Sequence, residues 1–319
     1  MAIYYAPMEG FTDAVYRRAH HICFGGVEKY YIPFISPTQN LRFTPRDKAA
    51  VFPEHNAGIC AVPQILSNRA DQFLWAARAL ADMGYREINL NVGCPSGTVT
   101  SKYKGSGMLR DLSSLKRFLD EVFAQAPAAI SVKTRIGFTD PEEWMQILEL
   151  YAQYPIYELT IHPRTRVQYY KGNVHPEAFA QAQQRLSVPL VYNGDVFSLQ
   201  DAQALLQRTP GVSLMLGRGL LTNPALAQEI CGGRALNLAD IRRFHDTLHA
   251  AYLEKYPRNI TVTRLCDAMK YLSLSFEDPH RLIKAMRKAS SEEEYLQAVH
   301  RLFDEHPLRE QPYYAPDLQ

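Results

Sequence analysis

Residues 87–109 read EINLNVGCPSGTVTSKYKGSGML. The run opens with apolar residues at alternate positions, Ile88, Leu90 and Val92, which is the period of a strand with a packed face. It then breaks at Gly93-Cys94-Pro95-Ser96-Gly97, whose glycines and proline continue neither a strand nor a helix. A strand that ends near Asn91 and hands one cysteine to a loop rich in Gly, Ser and Lys is a place to put a reactive group. Cys94 is therefore the candidate catalytic residue. Gly-Cys-Pro-Ser is a poor core segment, whereas Cys23, Cys60, Cys231 and Cys266 read as small buried hydrophobes.

Short apolar runs of the same kind recur at 3–6, 29–32, 60–65, 129–133, 158–161, 190–193 and 213–216. Helical periods lie between most of them. The clearest is 68–83, with Asn68 as N-cap, Phe73, Ala76, Ala77 and Leu80 on one face, and Gly84 as the stop. Segments 141–152, 176–186 and 199–207 follow the same logic. Eight strands alternating with helices predict an α/β fold closed as a (β/α)8 TIM barrel rather than an open doubly wound sheet. The segment 33–58 holds four prolines and reads as an irregular excursion. From about residue 235 the strand-like runs stop. Helical periods fill 240–256, 261–275, 278–288 and 291–303, which predicts an all-helical C-terminal domain over 235–319 behind a barrel domain over 1–234. The tail 307–319 carries three prolines and reads as extended.

A chain of 319 residues suits one large domain plus a smaller appendage, and 46% apolar residues can build its core. The net charge of +2 is too small to argue nucleic-acid binding by itself, so any such surface comes from local arrangement. No two cysteines form a C-x-x-C pair, so neither a zinc site nor a disulfide framework is expected, and no metal is assigned. The N-terminus has no basic start followed by an apolar run, and no stretch reaches the roughly 18 apolar residues of a spanning helix. A cytoplasmic, membrane-free monomer is the expectation.

Functional signals sit at the C-terminal ends of the strands, the face on which such barrels place their chemistry. The first strand ends in Ala6-Pro7-Met8-Glu9-Gly10, a bend that brings backbone toward a planar ligand. The third ends in Gln64, a donor and acceptor for a heterocycle edge. The fifth delivers Lys133, a cation at the end of an apolar strand, followed by Arg135. The sixth ends in His162-Pro163-Arg164-Thr165-Arg166. The seventh ends in Asn193-Gly194-Asp195 and the eighth in Gly217-Arg218-Gly219, where barrels of this class bind phosphate. With no G-x-G-x-x-G fingerprint after a strand, tightly bound FMN fits these ends better than a Rossmann-bound dinucleotide.

Taken together these motifs resemble the dihydrouridine synthases, flavoenzymes that reduce uridines in tRNA. The resemblance rests on Ala6-Pro7-Met8-Glu9-Gly10, Gln64, Asn91-Val92-Gly93-Cys94-Pro95-Ser96, Ser131-Val132-Lys133-Thr134-Arg135, His162-Pro163-Arg164-Thr165-Arg166, Asn193-Gly194-Asp195 and Gly217-Arg218-Gly219. It implies FMN as cofactor and NADPH as electron donor, with Cys94 as the acid that protonates C5 of the uracil while hydride reaches C6. It further implies that Pro7, Met8, Glu9, Gln64, Lys133, His162, Asn193, Gly194, Asp195, Gly217 and Arg218 hold FMN, and that Asn91 lies beside the substrate ring. Two departures stand out. Pro163 replaces the glycine common after the sixth strand, and the run Glu28-Lys29-Tyr30-Tyr31-Ile32-Pro33 stands where a Thr-Glu is common after the second.

A uridine inside folded tRNA must leave its stack to react. The resemblance therefore implies a surface that grips the RNA backbone. Barrel candidates are Lys102, Lys104, Arg135, Arg164, Arg166 and Lys171, interleaved with Tyr103, Tyr169 and Tyr170. In the helical tail Arg281, Lys284, Arg287 and Lys288 recur at helical spacing with no acid among them. Ribosomal RNA is the alternative substrate. An FMN barrel acting on a small molecule, and an RNA-binding protein without chemistry, are the competing readings.

Overall fold

On the strand that carries the opening motif, Ile88, Leu90 and Val92 are fully buried on one face while Glu87, Asn89 and Asn91 occupy the other. The strand Ala129–Gly137 repeats this pattern, with Ile130 and Val132 alternating with Ser131 and Lys133. The result, in this computed structural model describing residues 1–310, is a closed parallel barrel in the order β1 to β8. Its strands are β1 (Ile3–Tyr5), β2 (Lys29–Ile35), β3 (Ala61–Ile65), β4 (Glu87–Val92), β5 (Ala129–Gly137), β6 (Leu159–Thr165), β7 (Leu190–Tyr192) and β8 (Ser213–Leu216). All eight expected strands form, so the (β/α)8 reading holds. The Leu214 N–H donates to the Ala2 carbonyl at 2.9 Å, which joins β8 to the start of β1.

The helices are α1 (Ala14–Cys23), α2 (Pro45–Val51), α3 (Ala70–Asp82), α4 (Gly97–Thr100), α5 (Leu112–Gln125), α6 (Trp144–Tyr151), α7 (Pro176–Arg185), α8 (Leu199–Arg208), α9 (Arg218–Thr222) and α10 (Leu226–Ile230). The tail adds α11 (Leu238–Lys255), α12 (Arg258–Leu272), α13 (His280–Lys288) and α14 (Glu292–Glu305). Residues 311–319, most of the tail expected to be extended, lie outside the described residues. No helix of the described residues is long and apolar enough to cross a membrane.

Three expectations need correction. Segment 33–58 is not irregular throughout, because it holds α2, started by a capping box in which Thr44 and Asp47 bind each other's backbone N–H. Asn68 does not cap α3. Arg69 takes the cap position without a side-chain bond, and the Asn68 amide donates to the Lys102 carbonyl at 3.1 Å instead. Proline does not end β2 or β6. β2 runs through Pro33, and its register advances three residues against two on β3 between the Ile32–Pro63 and Ile35–Ile65 pairs. β6 runs through Pro163, with the same extra residue opposite Arg135–Gly137. A bulge releases one residue from the ladder, and a proline, lacking an N–H, suits that position.

By contacts the chain divides into two units, each described by itself. The first comprises residues 1–9, 29–194 and 209–215; the second comprises 10–28, 195–208 and the chain from 216 on. In the second unit α1 packs on α11, with the Tyr16 and Phe244 rings edge to face at 5.3 Å. There Asp13 both caps α1 and accepts from the Tyr252 hydroxyl at 3.2 Å.

In the first unit the lumen at the N-terminal end of the strands is closed by a polar plug. Lys29 Nζ lies 2.8 Å from Glu87 and 3.3 Å from Glu158. The Tyr4 hydroxyl donates to Glu158 at 2.8 Å, and the Tyr31 hydroxyl donates to Glu158 at 2.9 Å and Glu87 at 3.1 Å. The carboxylates hold the Lys29 ammonium well above its ordinary pKa despite burial. Breaking a buried ion pair from one side is costly because the other charge stays behind. Lys29→Met is expected to cost about 3–5 kcal/mol in urea unfolding, and a loss below about 1 kcal/mol would show the plug to be dispensable.

Candidate active site

β4 delivers Cys94 at the C-terminal end of the barrel, and the loop that carries it is fixed from four directions. The Asn91 carboxamide oxygen accepts from the Gly93 N–H at 3.0 Å and the Cys94 N–H at 2.9 Å. The Cys94 carbonyl accepts from the Ser106 N–H at 3.1 Å and hydroxyl at 2.7 Å. Arg135 Nε donates to the Gly93 carbonyl at 2.9 Å, and Arg166 Nε donates to the Pro95 carbonyl at 3.2 Å. Gly105, at φ +57°, approaches so closely that a Cβ there would sit 2.9 Å from the Cys94 carbonyl oxygen.

Burial raises the Cys94 thiol above the ordinary value near 9, against the lowering effect of a Ser96 backbone hydrogen bond and of the Arg135 and Lys133 charges. The group is thus a neutral thiol at neutral pH, suited to giving a proton rather than to nucleophilic attack. The other cysteines differ from expectation in part. Cys23 is buried and Cys266 half-buried, but Cys60 and Cys231 are exposed, since Cys60 precedes β3 and Cys231 follows α10.

Behind Asn91 runs a row of buried amides. Asn91 Nδ2 donates to Gln64 Oε1 at 2.7 Å, Gln64 Nε2 to Asn89 Oδ1 at 2.8 Å, and Asn89 Nδ2 to the Ser131 hydroxyl at 2.9 Å. Each amide gives with its nitrogen and takes with its oxygen, so the row fixes every flip from Ser131 up to Cys94. Gln64, expected at the rim, is 1% exposed. Asn89 and Ser106 carry no expectation from the sequence. The signal for Asn89 is a polar residue at an alternate position of a strand otherwise buried, whereas Ser106 lies in the segment 105–110 after the Cys94 loop and has no such signal.

Lys133 Nζ donates to Asn193 Oδ1 at 2.6 Å, and Asn193 Nδ2 donates to the Met215 carbonyl at 2.7 Å. The Lys133 side chain keeps some solvent contact but is otherwise ringed by protein. That desolvation, with the neighbouring Arg135 charge, lowers its pKa to about 7. Arg135 is lowered to about 10 chiefly by burial and stays charged. His162 Nε2 lies 3.4 Å from Arg164 Nη1, and its ring is 6.0 Å from that of Tyr170.

The remaining predicted residues fall in distinct places. Arg135 and Arg164 are each 1% exposed and spend donors on the Thr165 and Gly172 carbonyls. Met8 packs against the lumen cluster of Tyr4, Ala6 and Tyr31, Pro7 is half-buried, and Glu9 accepts from Arg46. Lys102 is exposed, while Lys104 is half-buried and donates to the Ser36 hydroxyl at 3.2 Å. In the second unit Arg218 pairs with Asp195 at 3.0 Å, and Gly217 starts α9. There too Arg281, Lys284, Arg287 and Lys288 are all exposed on α13, whose Leu282 and Met286 are buried.

The dihydrouridine synthase (Dus) family model matches residues 4–302. The chain belongs to this family. Among curated relatives, tRNA-dihydrouridine synthase B of Pasteurella multocida is 32% identical over 227 residues, 70% of this chain and 67% of that protein. Probable tRNA-dihydrouridine synthase 1 of Synechocystis is 31% identical over 234 residues, 70% of this chain and 63% of that one. The chain thus spans about two thirds of the length of these relatives. Solved structures match at the level of the fold. Morphinone reductase matches at TM-score 0.52 and 14% identity over 76% of this chain and 88% of its own. The old yellow enzyme homologue from Zymomonas mobilis matches at TM-score 0.53 and 14% identity over 76% and 91%.

Two measurements check this dihydrouridine synthase site. Asn89→Leu strands Gln64 Nε2 and the Ser131 hydroxyl, and thermal unfolding is expected to show a loss of about 1–3 kcal/mol for each stranded group. For Lys133, the folded chain releases the proton near pH 7 and the unfolded chain near 10.5. Between those values the unfolded chain holds more protons, so this residue makes the cofactor-free protein more stable as pH rises. Lys133→Met is expected to remove that rise, and an unchanged slope would place the ammonium in water.

Proposed function

We propose that this chain reduces uridine to dihydrouridine in tRNA, with FMN as redox cofactor and NADPH as electron source. The observation that carries the reading is Cys94, a neutral thiol clamped at the end of β4 inside a family of dihydrouridine synthases. Saturating the C5–C6 bond of uracil needs a hydride at one carbon and a proton at the other. FMN, when held there, would supply the hydride for C6. The proton comes from the Cys94 Sγ–H to C5, and a thiol that stays protonated through neutral pH is matched to that task, where a serine hydroxyl is far too weak an acid.

The residues of the first unit fit the cofactor. Lys133 and Arg135 are two neighbouring cations that repel each other, and the Lys133 ammonium is satisfied by a neutral amide. An electron-rich or anionic ligand relieves that imbalance. Lys133, His162, Gln64 and Asn193 would hold the flavin, and Asn91 orients the acid by fixing the Cys94 N–H. Exposed Lys102 and the helical segment from residue 235, with Arg281, Lys284 and Arg287 on α13, supply charge for the RNA backbone. The protein works as a monomer in the cytoplasm.

The test is to delete the gene, map dihydrouridine in total tRNA and 23S rRNA, and restore the gene as wild type or Cys94→Ala. Loss at one or a few tRNA positions, restored by wild type and not by Cys94→Ala, is expected, and purified Cys94→Ala should keep its flavin absorbance. Restoration by Cys94→Ala would remove the acid role, and loss confined to rRNA would overturn the substrate.

A further inference from the structure

In the first unit five side chains form one alternating row of rings and cations. The Arg110 guanidinium lies 5.6 Å from the centre of the Tyr103 ring and 4.1 Å from that of Phe138. The Arg166 guanidinium lies 5.3 Å from the Phe138 ring and 4.9 Å from that of Tyr169. The order is therefore Tyr103, Arg110, Phe138, Arg166, Tyr169, with each cation between two rings.

The row is anchored at one end and open at the other. Arg166 donates to the Pro95 carbonyl, to the Thr100 hydroxyl at 3.2 Å and to the Tyr169 hydroxyl at 2.9 Å, so that end is tied to the loop carrying Cys94. Tyr103, at the other end, is 54% exposed. Both terminal tyrosines hold left-handed backbone, φ +53° and +50°, which bulky residues seldom adopt and which clusters at functional sites. Three of the acids close in sequence are already committed, Asp140 by accepting from the Glu142 N–H at 2.9 Å. Asp111 caps α5 through the Ser114 N–H and hydroxyl. Glu143 accepts from the N–H groups of Phe138, Thr139 and Asp140.

We propose that this row is a base-stacking platform for RNA. The open face of Tyr103 takes an unpaired nucleobase neighbouring the target uridine, and Arg110 and Arg166 supply the charge that draws the phosphate backbone there. The inference rests on the reading of the chain as a tRNA-acting enzyme and deepens it. A flat ring backed by a guanidinium accepts any base through its π-face, and cations beside it attract the backbone without reading sequence. Arg110 and Phe138 were not among the residues expected to meet RNA. They join the row because the loop after β4 and the end of β5 bring them together.

The test uses the flavin-loaded protein and fluorescence anisotropy with a tRNA transcript and a single-stranded oligouridylate. Tyr103→Asn removes the ring while suiting the left-handed backbone, and Tyr103→Phe keeps the ring. Tyr103→Asn is expected to weaken binding of both RNAs by about tenfold, with Tyr103→Phe like wild type and unfolding temperatures unchanged. Unweakened binding by Tyr103→Asn overturns the platform, and so does equal weakening by Tyr103→Phe. Dihydrouridine formed by wild type on the same transcript reports the underlying reading separately. Ring-dependent oligouridylate binding without dihydrouridine sinks the reductase and leaves the platform. Dihydrouridine formation with unweakened binding by Tyr103→Asn does the reverse.

Discussion

The carboxamide oxygen of Asn91 holds two successive N–H groups, those of Gly93 and Cys94, and the rest of the site follows from that constraint. A reactive thiol on a loop is useful only if the loop has one conformation. Here the turn after β4 is fixed from inside by Asn91, from behind by Ser106 and from the sides by Arg135 and Arg166. The net gain from each such bond is about 1 kcal/mol, so their sum matters less for stability than for uniqueness. The amide row beneath them transmits that uniqueness. Ser131, Asn89, Gln64 and Asn91 have one satisfied pattern, and any flipped member would leave a buried donor facing a donor.

The lumen is layered by charge. At the N-terminal end of the strands Lys29, Glu87 and Glu158 balance one another, with two tyrosine hydroxyls completing the carboxylates' hydrogen bonds. Between the ends the lining is uncharged, an apolar cluster of Ala6, Val62, Val191 and Met215 with Tyr4 and Tyr31 on one side and the amide row on the other. At the C-terminal end Lys133 and Arg135 bring positive charge. Of the branched aliphatic residues that usually fill such barrels, Val62 and Val191 line the lumen beside Tyr4, Tyr31 and Met215, while Ile88, Leu90 and Val92 take the opposite face of β4. The barrel therefore closes one end with its own ion pairs and leaves uncompensated charge at the other, which is where a ligand is wanted.

Arginine plays two parts that composition does not separate. Arg135 and Arg164 are buried and tie loops together by giving to backbone carbonyls, where a planar guanidinium reaches several acceptors at once. Arg110 and Arg166 stand between rings on the rim. Arg164 and Arg166 belong to one strand end, two residues apart, yet the bulge at Pro163 and the end of β6 send them to different surroundings.

The order of strands and helices, and the placing of Cys94 and the other motifs at strand ends, were legible in the chain. They follow from alternation, from Gly and Pro as breaks and from residue types that have few uses in a core. The bounds of β2 and β6 were not legible, because a bulge lets a strand continue past a proline and its cost is met by neighbours far along the chain. α2 was hidden by its prolines although its Thr44–Asp47 box was readable. The chain by itself determined which polar and reactive residue types stand at the strand ends. Tertiary structure alone decided which of them meet: that Gln64 is buried between Asn91 and Asn89 and that Lys133 is held by Asn193. It also decided that Tyr103 joins a row ending at Tyr169. The reason is physical. Periodicity reports which face a residue occupies, but closing the barrel brings residues 25 to 60 positions apart within hydrogen-bond distance, and no local pattern encodes that approach.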